Sequence, residues 1–182
     1  MSDRLQRARL ARAAGRLVLI TDDARLPDPL AAARALPKGS IVIARSRTRL
    51  EALARALLKE GCTVLVAGDG ALAAKLGAHG IHLPEARAGE AAHWRARHPD
   101  MFITAAAHSP RALMRGHVDA FLLSPVFPTE SHPGRAALGP VRANLIARQT
   151  RVPVYALGGV TARDAARLHG FAGIAAIGAL KI

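Results

Sequence analysis

A single cysteine, Cys62, stands in the 182 residues of this chain, which excludes an internal disulfide framework and a cysteine metal cluster. Set at the end of a helix-like run beside an apolar strand, it reads as a buried structural thiol. Aromatic residues are also scarce: one Trp, one Tyr and four Phe. The core must therefore be built from Ala, Leu, Val and Ile, and no aromatic-rich strand is present on which nucleic-acid bases would stack. There is no apolar run of about eighteen residues and no basic-then-apolar leader, so neither a membrane span nor a signal segment is predicted. A soluble, cytoplasmic protein is the expectation. Acidic residues are the last shortage, 13 against 26 basic ones, 22 of them arginine, for a formal net charge of +13. Such an excess favours an anionic partner: a phosphorylated metabolite, a nucleic acid or an anionic membrane surface. The arginines are spread over nearly every helix, which argues against nucleic acid.

What the chain does have is regularity. Apolar segments at 17–21, 40–44, 63–67, 80–83, 101–106, 118–124, 153–158 and 173–180 recur about every twenty residues. Strands so continuously apolar are covered on both faces, as in a parallel α/β sheet. Helical pattern is predicted over 3–14, Pro29–Leu36, Thr48–Glu60, up to Leu76, Gly89–His98, after Ser109–Pro110, Pro140–Arg148 and Thr161–Leu168. An open doubly wound sheet could hold these units, but eight of them fit a compact single-domain (β/α)8 TIM barrel over 1–182 better. No helix follows the eighth strand. Apolar surface is therefore expected over strands eight and one, covered by 3–14 or by another subunit, and a homodimer is predicted.

In such a barrel the C-terminal strand ends carry the active site. The longest break in periodicity follows the sixth strand, where Pro125 to Gly139 holds three prolines and two glycines. Ser124, Thr129, Ser131, His132 and Arg135 fall in or beside it, and loops of this kind carry chemistry; a solvent-exposed insertion is the plainer alternative. After the seventh strand, Gly158–Gly159 precedes a helix start at Thr161 with Asp164 three positions on, a capping-box spacing. Adjacent glycines let backbone amides approach a phosphate, with Gly178 at the end of strand eight contributing. They could equally serve only the dihedrals of a tight turn. Arg45 and Arg47 suit bidentate phosphate contacts, although only one is expected to face the pocket. Asp69 could hold magnesium through one carboxylate or cap the helix behind it. His82, flanked by Ile81 and Leu83, reads as a satisfied wall residue. His108 and His132 are candidates for general acid–base work near neutral pH.

The stretch SPVFPTESHPGRAALG resembles the thiamine phosphate synthase/TenI superfamily, whose typical segment reads G-P-V-F-x-T-x-T-K-P-x-x-x-x-x-G. The likeness extends through VLVAGDGALAAKLGAHGIHLPE, FITAAAHS and VPVYALGGVTARDAARLHGFAGIAAIGAL. It implies a (β/α)8 barrel. The synthases join a pyrimidine pyrophosphate to a thiazole phosphate with release of pyrophosphate, using magnesium and basic residues. TenI-type relatives shift a double bond in thiazole carboxylate phosphate without metal. A non-catalytic phosphate-ligand binding protein is the further alternative. The synthase pattern Q-x-R-x-K appears as Ile43-Ala44-Arg45-Ser46-Arg47, the glutamine lost and lysine replaced by arginine. The N-D pair appears as Gly68-Asp69, which keeps the metal carboxylate. H-L-G-Q-x-D becomes His82-Leu83-Pro84-Glu85-Ala86-Arg87, so Arg87 stands where the second carboxylate would be. The lysine of the T-K motif becomes His132, the thiazole-phosphate glycines are Gly158 and Gly159, and the TenI acid–base histidine aligns at Pro125. On this resemblance the catalytic candidates are His132, His108 and Ser124. The phosphate candidates are Gly158, Gly159, Gly178, Arg45, Arg47 and Thr129, with Asp69 for magnesium.

Overall fold

The computed structural model describes residues 17–114, 117–129 and 136–177. Eight strands alternate with helical connections: β1 Leu17–Ile20, β2 Ile41–Ala44, β3 Thr63–Ala67, β4 Gly80–Leu83, β5 Phe102–Ala107, β6 Ala120–Leu123, β7 Val154–Leu157 and β8 Gly173–Ile177. Each is parallel to its neighbours, and β8 pairs back onto β1 to close the barrel. The expected (β/α)8 architecture is the one observed.

Alternation along each strand sorts side chains into two layers, because successive residues face opposite sides. Val18, Ile20, Ile43, Leu65, Leu122 and Tyr155 fill the interior. Leu19, Val42, Val66, Ile103 and Phe121 face outward under the helices. These strands are buried on both faces, which is why they read as unbroken apolar runs. Helix α1 spans Pro29–Arg34 and α2 spans Leu50–Lys59, the latter burying Leu53, Ala54 and Leu57 on one side. Helix α3 runs Gly70–Leu76, α4 Ala91–Arg97, α5 Pro140–Ala147 and α6 Ala162–Ala165.

Several connections are shorter than their sequence pattern predicts. The segment expected as one helix from Gly89 splits into a 3-10 stretch, Glu85–Glu90, and the two turns of α4. The run after Ser109 is a 3-10 turn, Pro110–Met114. Helix α6 covers a single turn in place of Thr161–Leu168. There the chain tightens into i to i+3 hydrogen bonds, Arg167 N to Asp164 O and Leu168 N to Ala165 O, which draws Leu168 into the apolar cluster beside β7. The segment 3–14 lies outside the described residues. Leu19 and Ala176, facing outward on β1 and β8, are only 1% and 9% exposed. Among the described residues the exposed large apolar side chains are Met114, Val141 and Leu145. No described helix is long and apolar enough to cross a membrane. Cys62 is half-buried, and desolvation raises its thiol pKa, so it stays protonated and unreactive near neutral pH.

Candidate active site at the barrel mouth

The inward-facing rows continue past the strand ends. Ile20 leads to Asp22, Ile43 to Arg45, Thr104 and Ala106 to His108, and Leu122 to Ser124. Polar groups thus replace aliphatic ones at the same height around the barrel.

One cleft, of about 480 Å³, is lined by Asp22, Asp23, Arg25, Arg45, Arg47 and Ile177 among others. Asp22 accepts from Arg45 Nη2 at 2.7 Å and from Arg25 Nη2 at 3.1 Å. The hydrogen bond from Arg25 holds its carboxyl well below the usual carboxylate range. Thr21 locks the start of this arrangement: its hydroxyl donates to Arg45 O at 2.8 Å and accepts from Arg45 N at 2.7 Å. The Arg47 amide donates to Asp23 Oδ2 at 2.9 Å. Arg45, Ser46 and Arg47 all border the cleft, and the Arg45 guanidinium is held there by Asp22.

A second cleft of about 290 Å³ adjoins the first and shares Arg25 and Ile177 with it. Its walls include Pro128, Thr129, Leu157, Gly158, Gly159 and Val160. Gly158 and Gly159 have φ of 94° and 63°, the region that favours glycine. They also meet the loop after β6 at close range. A Cβ on Gly158 would lie 3.1 Å from Pro125 Cα, and one on Gly159 would collide with the Pro128 carbonyl. Val126 N donates to Leu157 O and Phe127 N to Gly158 O, each at 3.0 Å. The loop therefore begins as a buried extension along β7, with Val126 and Phe127 in the core, and not as a solvent-exposed insertion. Thr161 and Asp164 form the predicted capping box. Because α6 is one turn long, its dipole adds little, and any anion there would depend on the glycine backbone. Gly178, Ser131, His132 and Arg135 lie outside the described residues.

His108 sits at the end of β5 with its amide donating to Glu85 Oε2 at 2.6 Å. Its Nδ1 is 3.0 Å from the Ser124 carbonyl and 3.1 Å from Ser124 Oγ. A carbonyl only accepts, so that contact places the proton on Nδ1 and leaves the lone pair on Nε2. The pairing also sets His108 beside Pro125, where the TenI histidine would align. His82, on β4, faces the barrel interior. Its Nδ1 lies 2.9 Å from Thr104 Oγ1, and burial, with Arg45 as a second cause, pushes its pKa down to about 4. The ring is deep in the mouth yet keeps part of its surface open.

Asp69 is exposed and caps α3, its Oδ1 accepting from Leu72 N at 2.8 Å. Beside it, Arg87 donates to Gly68 O at 2.8 Å and is clamped by Glu90 through Nε at 2.6 Å and Nη2 at 2.8 Å. No group of three or more His, Cys, Asp or Glu gathers as a metal cluster among the described residues. The donor set therefore fits magnesium only as one carboxylate shared with substrate phosphate and water, a mode that magnesium commonly takes. Sequence reasoning placed Asp22 at a strand end without giving it a partner, and missed Arg25 and Thr104. Thr104 could have been found by following the two-residue alternation along β5.

Residues 17–180 match the family model described as thiamine monophosphate synthase. A protein of Aquifex aeolicus (strain VF5), provisionally named thiamine-phosphate synthase 2, is 33% identical over 87 residues. That alignment spans 46% of this chain and 46% of the relative, so the chain matches less than half of that protein's length. Among solved structures, a thiamine phosphate pyrophosphorylase from Pyrococcus furiosus superposes with a TM-score of 0.69 at 21% identity, covering 92% of this chain and 87% of the other. N-(5'-phosphoribosyl)anthranilate isomerase from Pyrococcus furiosus gives a TM-score of 0.60 at 14% identity, with 88% and 87% covered. At these identities the two superpositions establish the fold alone.

Proposed function

The chain belongs to the thiamine monophosphate synthase/TenI superfamily, and on that footing we propose that it joins a pyrimidine pyrophosphate to a thiazole phosphate in thiamine biosynthesis. The observation that carries this reading is the pair of adjoining clefts, one lined by arginine side chains and one by glycine backbone. Coupling two anionic substrates needs two anion subsites facing one reaction space. Arg45 and Arg47 hold the pyrophosphate, Arg45 exchanging Asp22 for the substrate, in charge-assisted contacts that strengthen as the leaving group gains charge. The bond from the pyrimidine's methylene carbon to the pyrophosphate oxygen breaks, and its electron pair leaves with that oxygen. The thiazole nitrogen lone pair then forms the new carbon–nitrogen bond. Gly158, Gly159 and Thr129 hold the thiazole phosphate; Gly178 for that phosphate and His132 for the leaving group are assigned on the resemblance alone, both lying outside the described residues. Asp69 is the residue that would hold a magnesium ion, which when bound adds positive charge at the pyrophosphate.

The test is calorimetric titration with thiazole phosphate and with pyrimidine pyrophosphate, each with and without magnesium. Binding of both, the second strengthened by magnesium, is expected. Binding of neither would overturn the reading. Asp69→Asn keeps the helix cap while removing the charge, so it should fold normally and lose the magnesium enhancement; an unchanged response would take Asp69 out of the site.

A second reading rests on His108. With Nδ1 committed to the Ser124 carbonyl, Nε2 is free of that contact to take or return a proton, as a metal-free double-bond shift in a thiazole carboxylate phosphate would require. Turnover that survives a chelator and is lost in His108→Gln would favour it. Tight binding of thiazole phosphate with no turnover would instead indicate a non-catalytic binding protein.

A further inference from the structure

We propose that the outer face of α5 and the cleft at its foot form a docking surface for an acidic amphipathic helix of a partner protein. The cleft lies at the opposite end of the barrel from the mouth, and the inference is independent of the reaction proposed there.

Helical geometry sets the surface. Ala143, Ile146 and Ala147 bury one side of α5. At about 100° per residue, Val141, Leu145 and Arg148 form a single stripe on the side facing away from the core. Val141 and Leu145 are 75% and 61% exposed, although an outward helix face is ordinarily polar. The stripe runs down into a cleft of about 410 Å³, which Arg148 also borders. Thr150, Arg151 and His169 add polar groups to that cleft, and Val152 and Phe171 add apolar ones. Its walls come from the segments that enter β7 and β8, which places it at the N-terminal strand ends.

Charge names the occupant. Residues 136–177 hold five arginines and one acidic residue, Asp164, which pairs with Arg167 and closes the Thr161 box. Elsewhere many arginines are neutralised, as Arg34 is by Glu60, Arg55 by Glu51, Arg87 by Glu90 and Arg95 by Asp119. Arg142, Arg148 and Arg151 have no ion-pair partner among the described residues, and no carboxylate lies on α5 or lines the cleft. Apolar anchors beside uncompensated arginines complement a helix with two apolar side chains one turn apart and carboxylates on the next turn. A second copy fits poorly. A two-fold contact through this face would set arginines of both copies together with no carboxylate between them. Nucleic acid would meet the arginines and gain nothing from Val141 and Leu145. Two apolar side chains on a helix about 12 Å long are too few to anchor in a membrane surface.

Fluorescence anisotropy of the full chain with a labelled, stapled helical peptide tests the proposal. The peptide carries leucine at i and i+4 and glutamate at i+7 and i+8; the control has the same composition in scrambled order. The matched peptide should bind roughly 10-fold tighter than the scrambled one, because only it aligns both features with the stripe. Leu145→Ser should abolish that preference. Arg148→Gln combined with Arg151→Gln should weaken the matched peptide by about 10-fold and flatten its salt dependence. All three side chains are exposed, so both variants should keep the wild-type thermal unfolding curve. Equal binding of the two peptides, or a preference that survives Leu145→Ser, overturns the proposal. So does a concentration-dependent dimer in sedimentation, or adsorption to phosphatidylserine vesicles, that Leu145→Ser abolishes.

Discussion

The two clefts of the mouth are built on opposite principles. The arginine cleft is made of side chains that already neutralise one another, with Asp22 between Arg25 and Arg45. The glycine cleft is made of main chain, its shape fixed where Gly158 and Gly159 meet the Pro125–Pro128 segment. A side-chain cleft trades one anion for another and is graded in its response to substitution. A main-chain cleft has no spare atoms and fails at once when an atom is added. If both bind phosphate, the first should respond to charge and the second to volume.

The largest effect is expected at Gly159. Gly159→Ala adds a Cβ against the Pro128 carbonyl at a positive φ, a combination that costs roughly 2–4 kcal/mol. Thermal unfolding should shift accordingly, and thiazole phosphate binding should vanish while pyrophosphate binding persists in whatever folded protein remains. An alanine tolerated here without loss of stability would mean that the loop after β6 is not seated on β7 as described. Next comes Arg45→Ala. Losing a charge-assisted contact should weaken inorganic pyrophosphate binding by about 10- to 100-fold, the equivalent of roughly 1.5–3 kcal/mol, with thiazole phosphate affinity preserved. Equal losses for both ligands would erase the distinction between the clefts.

The barrel was legible because burial on both faces writes itself as continuous apolar runs, and eight of those at even spacing leave few alternatives. Gly158–Gly159 and the Thr161–Asp164 box were legible because dihedral demands and capping act locally. What stayed hidden depends on pairs distant in sequence. Asp22 and Arg45 are 23 residues apart, Glu85 and His108 another 23, and no local pattern announces either. Asp69 shows the reverse problem. One residue type at a strand-to-helix junction serves capping and metal binding alike, and the structure establishes the cap through Leu72 N without removing the other role. His82 reads from the sequence as a satisfied wall residue, and the structure gives its Nδ1 a partner in Thr104; the alternation that turns Ile81 and Leu83 toward the helices turns His82 inward.

The smallest expected effect separates the floor from both clefts. His82 has a folded pKa of about 4 against an ordinary value of 6.5. Its neutral form is favoured on folding, so its contribution to stability is complete above about pH 6.5 and is lost as pH falls toward 4, where the unfolded chain takes up a proton that the folded chain refuses. A shift of that size would correspond to about 3 kcal/mol, and the solvent-open edge of the ring reduces this to about 1–2 kcal/mol. Denaturant unfolding of wild type and His82→Phe at a series of pH values isolates the term: the difference between the two should narrow or reverse between pH 6.5 and 4 and stay constant above it. A parallel pair of curves would mean that the imidazole is as well solvated in the mouth as in the unfolded chain.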